Sequence, residues 1–213
     1  MTRFVKSFFL FCGIVSALAA FPVFGQENKD GITINKRPFK DFGEFVKQKL
    51  DNKEVDLDKP FLVELEGILT KDGRFDTKNT RFIRSEGDAE MIKVAKQAIS
   101  AISDSGWFAY LQKSGVEKIN LILAQDDKTV SSIIKSEMAD ENKAKTIASG
   151  LNAIIQIGKT KIKDGEDEKL LLNGANVASK EKQFIINFAM PKSAAQEMIN
   201  RRLKELERSR AEQ

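Results

Sequence analysis

One pattern constrains this chain more than any other: an alternating strand, a tight turn, a second strand and an amphipathic helix, in that order, and then the same order again. From Phe61 to Thr70 apolar and polar residues alternate for most of the run, the period of a strand with one buried face. Lys71-Asp72-Gly73-Arg74 follows, and Asp-Gly tolerates the positive φ that tight hairpins need. Phe75 to Arg84 reads as the returning strand. Ser85-Glu86-Gly87-Asp88 then leads into a helix whose apolar residues, Met91, Ile92, Ala95, Ala98, Ile99 and Ile102, share one face, with Ser85 or Asp88 as its N-cap.

The second copy runs from Lys118 to Ala124, turns at Gln125-Asp126-Asp127-Lys128, and returns from Thr129 to Met138. Asp140 opens its helix, which carries Ala144, Ile147, Ala148, Leu151, Ile154, Ile155 and Ile162. A third copy is fainter: Asn176-Val177-Ala178, a turn at Ser179 to Lys182, and Gln183 to Ala189. Pro191 then sits near the first turn of a last helix, where its missing N–H costs little; that helix shows Ala195, Ile199, Leu203 and Leu206. Residues 163–169 read as an exposed charged loop between the second and third units.

Three such units predict an α+β fold of two layers, a mostly antiparallel sheet of about six strands with the helices on one face. A single domain is expected over 61–208, with a mobile tail at 209–213. Before it, residues 26–60 are polar, with a short β-like piece at Ile32-Thr33-Ile34 and an amphipathic helix bearing Phe39, Phe42, Phe45, Val46 and Leu50. The spacing predicts that this helix docks its Phe face on the domain. Asp51 to Pro60 reads as a charged linker.

The first 25 residues have a separate logic. Arg3 and Lys6 precede an uncharged apolar run from Phe8 to Phe24, Pro22 breaks it, and Val23-Phe24-Gly25 supplies a cleavage site before polar Gln26 to Asp30. This is the layout of a secretory signal, which predicts an exported protein, periplasmic or secreted. The competing reading is an uncleaved anchor, since 17 residues sit at the low end of what can span a bilayer. Membrane association is expected only in that case.

Removing the signal removes Cys12, the one cysteine, and lowers the net charge from +4 to +2, because Arg3 and Lys6 are its only charges. No histidine occurs anywhere. Ser-His-Asp and Cys-His catalysis are therefore excluded, and so are histidine-containing zinc sites and, after cleavage, thiolate chemistry and disulfides. Carboxylates, lysines, hydroxyls and Tyr110 remain. The carboxylate groups Asp126-Asp127 and Glu166-Asp167-Glu168 read as solvated turn and loop residues, and Asp56-Leu57-Asp58 lacks the alternation and glycine of a calcium loop. Ser132 and Lys135 have the spacing of a Ser-Lys dyad, but that spacing needs a helix and this segment reads as strand. No glycine-rich phosphate loop occurs. No catalytic residue, metal ligand or cofactor is assigned.

Residues 61–124 resemble the C-terminal domain of the TonB family of energy transducers. The likeness rests on the alternating strand, the Asp72-Gly73 hairpin, the strand ending in Ser85-Glu86-Gly87, the helix with Ala95, Ala98 and Ile99, and the strand from Ile119 to Leu123. It implies a similar local ββαβ unit. The Tyr-Pro entry element and the Pro-rich linker of that family are missing, and the chain continues for about 90 residues more, so neither energy transduction nor a peptide-binding site carries over.

Ser105 to Leu111 holds the only Trp and the only Tyr. Trp107, Phe108 and Tyr110 form either an exposed binding platform or a short helix capping the core. The last helix mixes Arg201, Arg202, Lys204, Arg208 and Arg210 with Glu205 and Glu207, an ion-paired solvated face rather than a nucleic-acid surface. The sequence thus predicts a non-enzymatic exported domain that binds a protein or peptide of the cell envelope, through the aromatic cluster or an exposed sheet edge. The alternatives are a hydrolase built on carboxylates and lysine, or a carrier of a small apolar ligand or lipid.

Overall fold

A computed structural model describes the backbone of residues 34–162 and 167–211, with side chains up to Arg201. The export signal, Ile32 and Thr33 of the β-like piece, and residues 163–166 lie outside the described residues.

Six strands form one antiparallel sheet: β1 (Phe61–Ile68), β2 (Arg81–Gly87), β3 (Lys118–Gln125), β4 (Thr129–Glu137), β5 (Ala175–Lys180) and β6 (Gln183–Pro191), in the order β2-β1-β3-β4-β6-β5. The helices are α1 (Arg37–Asp51), α2 (Ala89–Asp104), α3 (Ala109–Lys113), α4 (Glu141–Lys161), α5 (Asp167–Gly174) and α6 (Lys192–Ala211). The architecture is the expected two-layer α+β fold, and its order of elements is three ββα units. The first two units meet through their first strands, β1 against β3; the second and third meet through their second strands, β4 against β6.

Register explains why the helices share one face. Val63 lies opposite Leu123, which lies opposite Ser132, then Phe188, then Ala175. Leu65, Leu121, Ile134, Ile186 and Val177 form the next row. All ten are buried, so alternation on each strand adds up to one continuous buried face. The helices lay their apolar residues on it: Met91, Val94, Ala95, Ala98 and Ile99 of α2, and Ala144, Ala148 and Ile155 of α4. The alanines let α2 approach closely while Met91 and Ile99 fill the remaining gaps. Phe39, Phe42 and Val46 of α1 join the same core, so the packed body begins at α1 and the Phe face docks as expected.

Local chemistry sets the helix starts. The Asp88 carboxylate accepts from the N–H groups of Glu90 and Met91, and Asp140 accepts from Lys143, so the first two units open their helices with an aspartate cap.

Three differences from the sequence reading have physical causes. Phe75 does not begin the returning strand. It makes a single bridge to Leu69, donates its N–H to Ser103 Oγ at 2.9 Å, and turns its ring to Phe108, 5.0 Å between centroids. Asp76 then caps a turn by accepting from Lys78 N–H and Asn79 Nδ2, and β2 starts only at Arg81 and runs through Ser85 to Gly87. Residues Asp167 to Lys169 are not loop but the first turn of α5, whose Leu171 and Leu172 are buried. The backbone of α6 continues to Ala211, through Ser209 and Arg210.

Candidate functional site: an open sheet edge at β2

The two edges of the sheet are built differently. β5 lies under α4, and Asn152 of that helix reaches its outer side. The Asn152 amide donates to the Val177 carbonyl at 2.5 Å, and the Val177 N–H donates to Asn152 Oδ1 at 3.1 Å. One side-chain amide thus replaces a neighbouring strand at the middle of β5. A sheet edge is a template for pairing unless something blunts it.

Among the described residues β2, at the opposite edge, has no such cover. All seven of its residues are exposed, whereas its neighbour β1 alternates buried and half-buried. Phe82 and Ile83 retain 39% and 44% of their surface, high for large apolar side chains in a strand. Lys96 of α2 sits over the Phe82 ring, 4.7 Å from its centroid, which places that ring on the helix side. Between Glu64 and Leu65 the register shifts, so Ile83 is an extra, bulged residue.

The ladder fixes which backbone groups face outward. Asp88 N–H donates to the Pro60 carbonyl at 3.0 Å, and Leu69 N–H donates to the Glu117 carbonyl on the β3 side at 2.8 Å. Even-numbered residues of β1 therefore bond toward β2, and Glu86 and Arg84 of β2 bond inward. By the same alternation Ser85 and Gly87 turn their N–H and C=O away from β1, with no strand beyond them among the described residues. Gly87 is required here: its φ is +99°, and a Cβ would lie 2.3 Å from the Pro60 carbonyl oxygen.

On the face opposite the helices β2 carries charge. Arg84 binds Glu86 through two bonds of 2.7 Å, from Nε and Nη2, and Arg81 pairs with Glu66 at 3.4 Å. The hydrogen bond from Arg84 holds the Glu86 carboxyl below the ordinary carboxylate range and raises Arg84 in turn.

The aromatic cluster is placed elsewhere. Trp107 keeps 5% of its surface and Phe108 none, and their rings meet edge to face at 5.2 Å. They hold the core against the 69–80 loop, while Tyr110 on α3 is half-buried. The segment is the short core-capping helix, and the platform reading would need Trp107 and Phe108 at a surface they do not reach.

The remaining candidates are separated by the fold. Ser132 is buried on the helix side of β4, and Lys135, three residues on, points to the other face. Asp126 accepts from Lys128 and Thr129 N–H, both at 2.7 Å, which lowers its carboxyl and marks it as a turn former. Asp167 pairs with Arg201, tying α5 to α6; Glu166 lies outside the described residues. Asp58 accepts from Gln196 and pairs with Lys192, and those bonds, Gln196 first, lower its carboxyl. Beside it, a pocket of about 530 Å³ is lined by Leu50, Val55, Leu57, Lys53, Gln196 and Asn200, among others. Its lining mixes polar and apolar groups, whereas the space between sheet and helices is filled by fully buried Phe42, Phe108, Phe184, Met91 and Met198. Among the described residues no cluster of three or more carboxylates could hold a metal, and no helix is long and apolar enough to cross a membrane.

No family model, curated protein or solved structure matches the chain.

Proposed function

We propose that this is an exported protein-interaction domain of the cell envelope that binds by strand addition at β2, without catalysis. The observation that carries this reading is the contrast between the edges: β5 is occupied at Val177 by Asn152, and β2 offers the outward backbone of Ser85 and Gly87 beside exposed Phe82 and Ile83. Main-chain bonds of an added strand supply affinity, and side chains at alternate positions supply selection. The export part rests on the signal layout of residues 1–25. The separation of Ser132, Lys135, Asp126 and Asp167 onto different faces and turns weighs against a carboxylate and lysine hydrolase, because acid–base catalysis needs its groups convergent.

The test is photo-crosslinking in the producing cell. A photoreactive amino acid at Ile83 is expected to give a discrete protein adduct, and the same residue at Ala178, on the sheet face beside the blocked edge, is expected to give none. Equal labelling at both positions, or none at Ile83, would overturn the reading.

A further inference from the structure

We infer that the strand added at β2 is β2 of a second copy, related by a two-fold axis through Ser85. This rests on the strand-addition reading and names its partner. The argument is one of register and charge. A continuous sheet with both helix layers on one side requires antiparallel pairing in which same-face residues oppose one another, so only registers centred on a residue qualify. Centring on Arg84 or on Glu86 sets like charge against like, and centring on Gly87 opposes Glu86 to Asp88. Centring on Ser85 opposes Arg84 to Glu86 of the second copy, and Glu86 to its Arg84.

Hydrogen-bond parity admits Ser85 or Gly87 as the centre, and charge leaves Ser85. Ser85 presents its N–H and C=O outward, so two copies of Ser85 on the axis form a mutually bonded pair. The intrachain Arg84–Glu86 pair then becomes half of a square of four alternating charges, each beside two of opposite sign. Ile83 falls opposite Gly87 of the second copy, where no side chain competes for space. Against a foreign apolar strand the Arg84–Glu86 pair gains no second partner, whereas its own copy supplies one to each charge. The edge thus favours its own strand over an apolar foreign one.

The test uses the protein produced and exported by its own signal, with Cys12→Ser so that an introduced cysteine is the only thiol whether or not the signal is removed. Two Ser85→Cys residues on the axis stand about 5.5 Å apart between Cα atoms, within disulfide reach. Diamide is expected to convert Ser85→Cys to a covalent dimer and to leave Ser131→Cys, on the sheet face, monomeric. The charge test mixes variants. Glu86→Arg and Arg84→Glu each place like charges across the axis, and each alone is expected to dimerise at least about tenfold more weakly than the parent in sedimentation equilibrium. Mixed in equal amounts they are complementary, and a heterodimer of parental affinity is expected. A monomeric mixture of two variants with parental circular dichroism, or a Ser85→Cys protein that stays monomeric under diamide, overturns the dimer. An Ile83 photo-adduct to a different protein would then leave strand addition standing.

Discussion

Asn152 makes with Val177 the pair of bonds that a neighbouring strand would make, donating to its carbonyl and accepting from its N–H. The replacement Asn152→Ala removes both partners and leaves two backbone groups of β5 to water or to another chain. The expected cost is about 1–3 kcal/mol in denaturant unfolding. A second expected outcome is faster hydrogen exchange at the Val177 amide and concentration-dependent association through β5. Asn152→Asp keeps the acceptor for Val177 N–H and sets a carboxylate against its carbonyl, so it is expected to recover only part of the loss.

The caps give a cleaner test of local chemistry. The Asp88 side chain accepts from the Glu90 and Met91 N–H groups at the start of α2. Asp88→Ala is expected to lower stability by about 1 kcal/mol, and Asp88→Ser to restore most of it, both by chemical unfolding. The cap lies one residue beyond Gly87, so a larger loss on Asp88→Ala would mean that the outer end of β2 depends on it too.

Gly73 marks where the first hairpin touches the core. Its φ is +73°, and a Cβ there would come within 1.9 Å of the Ala109 backbone nitrogen at the start of α3. The neighbour is backbone and cannot swing aside. Gly73→Ala is expected to destabilise by about 1–3 kcal/mol and to lower the near-ultraviolet signal of Trp107, which packs beside α3. A neutral Gly73→Ala would contradict the described contact between the 69–80 loop and α3.

Acid sensitivity follows from the lowered carboxyls. Hydrogen bonds from Lys49 to Glu54, from Gln196 and Lys192 to Asp58, from Lys93 to Glu90, and from backbone N–H to Asp126 each favour the ionised form in the folded state. These groups are depressed, so their contribution is fully present above the ordinary carboxylate value near about 4 and is lost as pH falls through the folded values below it. Thermal midpoints are expected to be flat from pH 7 to 5 and to drop below pH 4. Added salt is expected to weaken the Lys49 and Lys93 contributions, which are exposed ion pairs, more than that of Asp126, which depends on backbone donors. A flat profile down to pH 2 would contradict these assignments.

The fold was legible because alternation on Phe61–Ile68, Lys118–Gln125 and Gln183–Pro191 is real burial on one face, and because aspartates cap the helices where the pattern changes period. What misled was Phe75, an apolar residue in a strand-like run that leaves the sheet for Phe108 and Ser103, contacts with residues about 30 positions away. The helix α5 escaped notice because its charged start and its run Leu170-Leu171-Leu172 show no helical period. The candidate edge was the least legible part. Phe82 and Ile83 look like any strand interior in sequence, and only the order β2-β1-β3-β4-β6-β5 makes them outermost. Trp107 drew attention by composition, yet its ring is needed where the loop, α2 and α3 meet.

The most direct measurement is residue-resolved amide exchange of the exported protein across a dilution series. In dilute protein Ser85 is expected to exchange as freely as an exposed loop amide while Val177 stays protected, and Ser85 is expected to gain protection as concentration rises. Ser85 as slow as Val177 at every concentration, in protein that sediments as a monomer, would mean that the β2 edge is already satisfied within the chain, and would contradict the account.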